Sequence, residues 1–274
     1  MDHRYLAIII FVAAILLEKL ALYLFLPMLS ENGAVRPNYR KDLIPVAAGL
    51  TFPLVLITCF LLMTFLESHS DYRFMPYLLA VVVMALVGFV DDILGSRDTL
   101  GFRGHFSRLI KERKMTTGAL KALTGGLVSF FIAWSCYDGI ISLIVNTLII
   151  ALFTNSMNLF DLRPGRCVKA FLIMFLPLAY FAWDQYLLFI PLFGAVLAYF
   201  RYDLKARAMM GDTGSNVLGV TLGVMTVYGL GFTARLAVLA ALILLHLYTE
   251  KYSITKTIEK SRVLKTIDML GRGE

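Results

Sequence analysis

The sequence has few charged residues, few cysteines and no internal repeat. Only 16% of its 274 residues are charged, whereas about 25% of the residues of a soluble globular domain are. The three cysteines, Cys59, Cys136 and Cys167, form no CxxC pair, so neither a disulfide framework nor a zinc site is indicated. The first apolar run is too long for a signal-peptide core and no small-residue cleavage site follows it, so we expect it to be kept as a helix.

Long apolar runs dominate the sequence. Hydrophobic residues make up 59% of the chain, its mean hydropathy is +0.75, and a spanning helix needs about 20 mostly apolar residues. We therefore predict an all-α, polytopic transmembrane helix bundle with about nine spans, forming a single integral membrane domain over residues 1–274. Lysines between apolar positions predict an interfacial tail over about residues 253–274. The nine runs lie at about 5–28, 45–66, 75–92, 118–135, 139–157, 168–182, 185–201, 214–230 and 233–250.

The distribution of positive charge predicts the orientation of the chain in the membrane. The net charge is +7, which in a polytopic protein reports topology and does not indicate a nucleic-acid partner. If the runs alternate in direction, all but four of the 26 Lys and Arg residues fall on one side of the membrane, the exceptions being Arg4, Lys19, Arg73 and Arg235. We therefore expect the N-terminus outside, the C-terminus in the cytoplasm and a multi-pass protein of the plasma membrane.

Two adjacent carboxylates, Asp91 and Asp92, end the third run. Negative charge at a helix C-terminus is unfavourable by roughly 0.3 to 1 kcal/mol per group unless a cation compensates. Lys121 lies one turn into the fourth run, and a cation near the N-terminus of a helix is also unfavourable. A structural salt bridge would explain this arrangement, and so would a shared site in which the carboxylates hold Mg²⁺ and the lysine meets a phosphate.

Polar residues also mark the end of the fifth run and the start of the eighth. Asn155, Asn158 and Asp161 recur every three residues, so they lie roughly along one helix face. They either line a polar cavity or cap the end of the helix. Asp212 follows Gly211 before a helix, where it is either an N-cap or part of a helix start that approaches phosphate closely. The charge distribution places all these residues on the predicted cytoplasmic side.

Three further features allow a structural or a membrane-related interpretation. Glu18 and Lys19, inside the first run, are expected to form a mutually compensating pair. Six basic residues with interleaved apolar ones over residues 95–114 indicate either an amphipathic helix at the headgroups or ordinary positive-inside bias. His246 lies within an apolar run and is expected to be a packed residue.

Together these motifs resemble the polyprenyl-phosphate N-acetylhexosamine-1-phosphate transferases, glycosyltransferase family 4. After Asp161 the family continues Gly-x-Asp-Gly, whereas this chain continues Leu162-Arg163-Pro164-Gly165, and the family's histidine-rich loop near the C-terminus is absent. The matching elements are Arg36-Pro37-Asn38-Tyr39-Arg40 with Ile44-Pro45, Asp91-Asp92, Asn155-x-x-Asn158-x-x-Asp161, and Gly211-Asp212-x-Gly214-Ser215.

The resemblance implies transfer of a sugar 1-phosphate, of N-acetylhexosamine type, from a UDP-sugar to undecaprenyl phosphate in cell-envelope glycan biosynthesis, with release of UMP. It implies Mg²⁺, with Mn²⁺ as an alternative, an active site on the cytoplasmic face, contact with membrane lipid and a homodimer. It also implies the site roles: catalytic Asp91, Asp92 and Asp212; substrate-binding Lys121, Asn155, Asn158, Asp161, Arg36 and Asn38; and metal-binding Asp212, Asp92 and Asp161.

Other interpretations stay open at this point. A non-catalytic descendant of the family would bind polyprenyl phosphate without turnover. A prenyltransferase of the aromatic-acceptor type also uses about nine helices and Asp-rich motifs, and Asn158 to Asp161 is a partial match to one of its two motifs. A transporter would place its polar groups near the bilayer midplane and show repeated halves, whereas these polar groups cluster towards one predicted interface.

Overall fold

The computed structural model describes residues 3–66, 73–95 and 116–272. Nine long helices account for most of this part of the chain, and a two-stranded antiparallel hairpin, β1 (Val35–Pro37) and β2 (Leu43–Pro45), follows the first of them. The long helices are α1 (His3–Glu31), α2 (Thr51–Leu66), α3 (Phe74–Leu94), α4 (Thr117–Ser135), α5 (Ile140–Phe160), α6 (Arg166–Phe181), α7 (Tyr186–Leu204), α8 (Gly211–Gly229) and α9 (Phe232–Lys251).

Each of the nine apolar runs folds as one long helix, so the prediction of an all-α polytopic membrane fold is confirmed. Among the described residues, seven helical segments are long and apolar enough to cross a membrane. One of the seven is α2 together with the 3-10 turn that precedes it, Ala48–Leu66. The two exceptions are α6, which has only 16 residues, or about 24 Å of helix, and α8, which carries several polar side chains. Polar side chains are tolerated in α8 because sixteen of its nineteen residues are buried against other helices.

Helix α8 forms the centre of the bundle, and small residues bring its neighbours close. A Cβ added at Gly219 would lie 2.7 Å from the carbonyl oxygen of Phe153, and one added at Gly223 would lie 2.7 Å from the Cα of Ile150. Both of these residues lie on α5. On the other side, a Cβ at Gly88 of α3 would collide with the backbone of Asp212. Small residues permit such close backbone packing, which is a main source of helix association in membranes.

The outer helices expose apolar side chains. In α9 only Leu242 is buried, and the exposed residues include Leu236, Ile243, Leu244 and Leu247. A helix that is apolar on nearly all sides and packs little against protein is suited to contact with lipid.

The polar connections meet at one end of the bundle. The amide of Met209, after α7, donates to the carbonyl of Pro45 in β2 at 2.8 Å, and the amide of Gly49, before α2, donates to Met210 at 3.1 Å. The ends of α1, α3, α5 and α7 therefore lie together with the starts of α2, α6 and α8. This confirms that the segments carrying the predicted site residues share one end of the molecule.

The C-terminal tail folds back on the start of α6 through two short helices, α10 (Ile254–Lys260) and α11 (Arg262–Met269). The Asp268 carboxylate accepts hydrogen bonds from Arg166 Nε at 2.8 Å and Nη2 at 3.0 Å, and from Arg272 at 2.8 Å. Burial alone would raise the pKa of Asp268, but these guanidinium groups lower it below its usual value. Exposed apolar residues, including Val263, lie elsewhere on α11, and attachment of this tail to the membrane surface stays a prediction.

The prediction that Glu18 and Lys19 form a mutually compensating pair is wrong. Glu18 is fully buried and its Oε1 accepts a hydrogen bond from the Thr51 hydroxyl at 2.7 Å, whereas Lys19 is exposed. Consecutive residues of a helix point in different directions, so one turned inward while the other turned outward. The predicted amphipathic helix over residues 95–114 lies outside the described residues, apart from Gly95.

We predict that Gly219→Ala destabilises the bundle. The added methyl group would press on the α5 backbone, and overpacking typically costs about 1–3 kcal/mol. Gly126→Ala is the matched control, because a Cβ at Gly126 of α4 meets nothing within 4 Å and alanine favours helix over glycine. Thermal unfolding in detergent should show a lower midpoint for Gly219→Ala and an unchanged or higher one for Gly126→Ala. Equal midpoints for the two variants would contradict the close packing of α8.

We also predict that the tail is released in acid. Because the folded-state pKa of Asp268 is lowered, the ion pairs contribute fully above the unfolded pKa of about 4 and are lost as the pH falls through the folded-state value. A spin label at Val263 should become mobile at low pH, while a label at the exposed Leu197 of α7 reports whether the bundle is intact. In Asp268→Asn the Val263 label should be mobile at neutral pH as well. An immobile label there would show that the ion pairs do not hold the tail.

Candidate active site

A cavity of about 1160 Å³ opens where the polar connections meet. Its wall is assembled from the β1–β2 hairpin, the end of α3, the starts of α4 and α8, and the ends of α5 and α9. All nine residues predicted for the site line it: Arg36, Asn38, Asp91, Asp92, Lys121, Asn155, Asn158, Asp161 and Asp212.

Lys121 joins two of the predicted catalytic carboxylates. Its ammonium group lies 3.5 Å from Asp91 Oδ2 and also forms an ion pair with Asp212. All three side chains are partly buried, so their charges are screened less by solvent than those of surface pairs. The structural salt bridge considered for the sequence therefore exists, and it extends to Asp212, which was not expected to take part in it.

Asp92 caps the N-terminus of α8. Its carboxylate accepts hydrogen bonds from the amide of Asp212 at 2.9 Å, the amide of Thr213 at 3.0 Å and the Thr213 hydroxyl at 2.6 Å. Gly211 is required beside it, because its φ of 70° is left-handed and a Cβ there would collide with the Asp92 carboxylate. Asp92 thus orients Asp212.

The two predicted residues of the first loop have structural partners. Arg36 donates from Nη2 to the carbonyls of Asp92 at 3.3 Å and Ile93 at 3.4 Å, which supplies positive charge to the C-terminus of α3. The Asn38 side-chain oxygen accepts from the amides of Arg40 at 2.7 Å and Asp42 at 3.0 Å. Asn38 therefore shapes the hairpin turn, a use of asparagine that is common in turns.

The three polar residues at the end of α5 have different surroundings. Asn158 donates to Asn216 Oδ1 at 2.9 Å and accepts from the Ser215 hydroxyl, so it fastens α5 to α8. Asn155 lines the cavity. Burial, together with nearby carboxylates that include Asp203 and Asp212, raises the pKa of Asp161 well above its usual range.

The described residues offer oxygen donors for a metal but no complete cage. Within residues 3–66, 73–95 and 116–272, no group of three or more His, Cys, Asp or Glu side chains is arranged to hold an ion. Asp92 is engaged with α8, and Asp212 is paired with Lys121. Carboxylate oxygens nevertheless suit Mg²⁺, which is usually bound through one or two carboxylates with substrate phosphates and water completing its shell.

Several residues of the site were not predicted from the sequence. Thr213 and Asn216 contact Asp92 and Asn158 as described above. Tyr39 and Arg163 also line the cavity. So does His246, whose Nδ1 lies 2.8 Å from the carbonyl of Leu242. Two of them had a signal in the sequence: Tyr39 lies within the Arg36-Pro37-Asn38-Tyr39-Arg40 element, and Thr213 occupies the variable position of the Gly211-Asp212-x-Gly214-Ser215 motif.

A family model describing glycosyl transferase family 4 matches residues 74–230, more than half of the chain. The chain belongs to glycosyl transferase family 4. The match runs from the start of α3 to just beyond α8, so it includes all the predicted site residues except Arg36 and Asn38. The family resemblance inferred from the motifs is therefore confirmed.

Two curated relatives that are similar to this chain have the same name. Phospho-N-acetylmuramoyl-pentapeptide-transferase of Clostridium botulinum (strain Eklund 17B / Type B) is 26% identical over 215 residues, which cover 72% of this chain and 65% of the relative. The enzyme of the same name from Thermotoga neapolitana is 28% identical over 234 residues, covering 79% of this chain and 74% of the relative. The chain thus spans slightly less than two thirds of the length of the Clostridium protein.

We predict that Asp92→Ala loosens the start of α8. Loss of a carboxylate cap typically costs about 0.5–2 kcal/mol, so hydrogen exchange of the amides of Asp212 and Thr213 should become about tenfold faster. Asp91→Ala is the matched control, because the ion pair of Asp91 is with Lys121. Unchanged exchange in Asp92→Ala, or equal acceleration in both variants, would show that Asp92 does not act as the cap.

Proposed function

We propose that this protein transfers a sugar 1-phosphate, of N-acetylhexosamine type, from a UDP-sugar to undecaprenyl phosphate, releasing UMP, in cell-envelope glycan biosynthesis. The observation that carries the proposal is the joining of Asp91, Lys121 and Asp212 in the wall of one large cavity, in a chain of glycosyl transferase family 4. The name of the curated relatives, which specifies phosphosugar transfer, supports the same reaction class.

Phosphoryl transfer of this kind depends more on neutralising negative charge than on covalent catalysis by the protein. An oxygen of the lipid phosphate would attack the β-phosphorus of the UDP-sugar, and the bond from that phosphorus to the bridging oxygen would break, leaving the electron pair on UMP. Two anions must approach for this reaction, so positioned cations carry most of the catalysis. Lys121 is the cation nearest to Asp91 and Asp212 in this cavity and would meet a phosphate oxygen.

The remaining roles follow from the contacts of each side chain. Asp91 would take a proton from the lipid phosphate. Asp92 would act by holding Asp212 in place, and Asp212 would bind the metal or, in a two-step version of the reaction, attack first as the nucleophile. Asn155 and Asp161 would line the nucleotide pocket, and Asn158 would keep α5 and α8 together around it.

We propose Mg²⁺, with Mn²⁺ as an alternative, as the cofactor. Asp212 and Asp161 would hold it, with the substrate phosphates as further ligands, and when bound it supplies positive charge to the phosphates. Both carboxylates line the cavity, and carboxylate oxygens are ligands that Mg²⁺ prefers. The other proposed partners are membrane lipid and a second copy of the chain.

The positive-inside distribution supports a cytoplasmic active site in the plasma membrane. All the basic residues on the connections at the cavity end belong to the side predicted to be cytoplasmic. A UDP-sugar is a soluble cytoplasmic metabolite, so a cavity on that face would have access to it, while undecaprenyl phosphate would enter from the bilayer.

We predict that the purified full-length protein releases UMP when it is given undecaprenyl phosphate, Mg²⁺ and one UDP-sugar of a panel. Asp212→Asn should reduce the rate roughly 100-fold or more, in the range found when one group that stabilises transition-state charge is removed. Asp184→Asn, in the exposed turn between α6 and α7, is the matched control and should retain the wild-type rate.

Chelation with EDTA should abolish release, and added Mg²⁺ or Mn²⁺ should restore it. Absence of UMP release with every donor, together with retained binding of undecaprenyl phosphate, would contradict the transferase proposal and identify the protein as a non-catalytic lipid-phosphate binder.

A further inference from the structure

Arg163 lies in a hydrogen-bonded turn in the wall of the cavity. The turn follows α5 and is held on both sides: the Gly165 amide donates to the Asp203 carboxylate at 3.0 Å, and Arg272 of the tail donates to the Pro164 carbonyl at 2.7 Å. The Arg163 side chain lines the cavity and is partly buried. This is the segment in which the chain departs from the family pattern, so the family resemblance assigns it no role.

An aromatic ring fixes the guanidinium group of Arg163. The carbon of the guanidinium lies 5.9 Å from the centroid of the Tyr39 ring, and Arg40 approaches the same ring at 5.1 Å. Both distances are in the range of cation–π attraction. Tyr39 also lines the cavity, so the ring and the Arg163 guanidinium form one surface on its wall.

The hydrogen-bond donors of Arg163 have no acceptor among the described residues. Other arginines near the cavity are committed: Arg36 to the end of α3, Arg166 to Asp268, and Arg272 to Asp268 and Pro164. Arginine carries a planar fork of N–H donors that remains charged. A partly buried guanidinium whose donors face a cavity is therefore prepared for an anionic ligand.

We propose that Arg163, held against Tyr39, binds a phosphate group of a substrate in the cavity. A guanidinium matches the geometry of phosphate oxygens and bonds two of them at once. The inference rests on the proposed function, which requires two phosphate-bearing substrates in this cavity. The ligand is either the diphosphate of a nucleotide or the phosphate of the polyprenyl lipid, since both present the same chemistry to the guanidinium.

The test measures binding in the purified full-length protein, with no turnover required. UDP is titrated by calorimetry in detergent with Mg²⁺, and binding of undecaprenyl phosphate is followed by native mass spectrometry. Arg163→Gln removes the charge and Arg163→Lys keeps it without the planar fork. Arg201→Gln is the matched control, because Arg201 is exposed at the end of α7 on the same side.

Arg163→Gln should weaken one of the two ligands by about tenfold or more, the loss expected for a charged bidentate contact. Arg163→Lys should show a smaller loss, and Arg201→Gln should stay within about twofold of wild type. Tyr39→Leu, which removes the ring under the guanidinium, should share part of the loss. Weaker UDP identifies the nucleotide as the ligand, and weaker undecaprenyl phosphate identifies the lipid.

Two results would overturn the proposal. If Arg163→Gln binds both ligands as wild type does, or if Arg201→Gln loses as much affinity, Arg163 is not a phosphate contact, while the proposed function stands because the wild type still binds its substrates. If the wild type binds neither ligand, the proposed function fails and this inference fails with it. Thermal midpoints of the variants distinguish loss of binding from loss of folding.

Discussion

The meeting of two helix ends determines the architecture of the site. Asp92 lies at the C-terminus of α3, where its negative charge is unfavourable, but its carboxylate accepts hydrogen bonds from the first amides of α8, where negative charge is favourable. The negative charge of Asp92 is therefore unfavourable at the end of α3 and stabilising at the start of α8. The contact between the two helix ends requires glycine at two positions: a Cβ at Gly211 would collide with the Asp92 carboxylate, and a Cβ at Gly88 would collide with the backbone of Asp212. The position of Asp212 depends on this junction.

The charges around that junction balance only in part. Lys121 pairs with Asp91 and Asp212, and Arg36 meets the carbonyls at the end of α3. Asp161 has no such partner in the described structure and its pKa is raised. The cavity is lined by these carboxylates and also by the Arg163 guanidinium, which follows Asp161 by two residues. In the proposed reaction the carboxylates would hold a cation and the guanidinium would meet a phosphate.

The local pattern of the sequence predicted the helices correctly. Side-chain contacts between residues far apart in the sequence were missed. Apolar runs located all nine long helices, and the misplaced charges of Asp91 and Asp92 indicated that a compensating partner must exist. The partner of Asp92 is Thr213, 121 residues away, and a single sequence does not show which of many hydroxyls or amides will arrive. Asp268 was missed for the same reason, since its partner Arg166 is 102 residues away. Glu18 was interpreted from its neighbour, whereas its partner lies on another helix.

The walls of the cavity differ in how firmly they are packed, and this difference bears on substrate entry. Residues of α3, α5 and α8 hold the charged groups, and α8 is the most buried long helix in the described chain. His246, which also lines the cavity, belongs to α9, in which only Leu242 is buried. Elements with few buried contacts open at low free-energy cost, whereas core elements open only with global unfolding. In the proposed reaction a polyprenyl chain would enter from the bilayer. Helix α9 has the fewest buried residues of the long helices in the described chain, so it would be displaced more easily than α8.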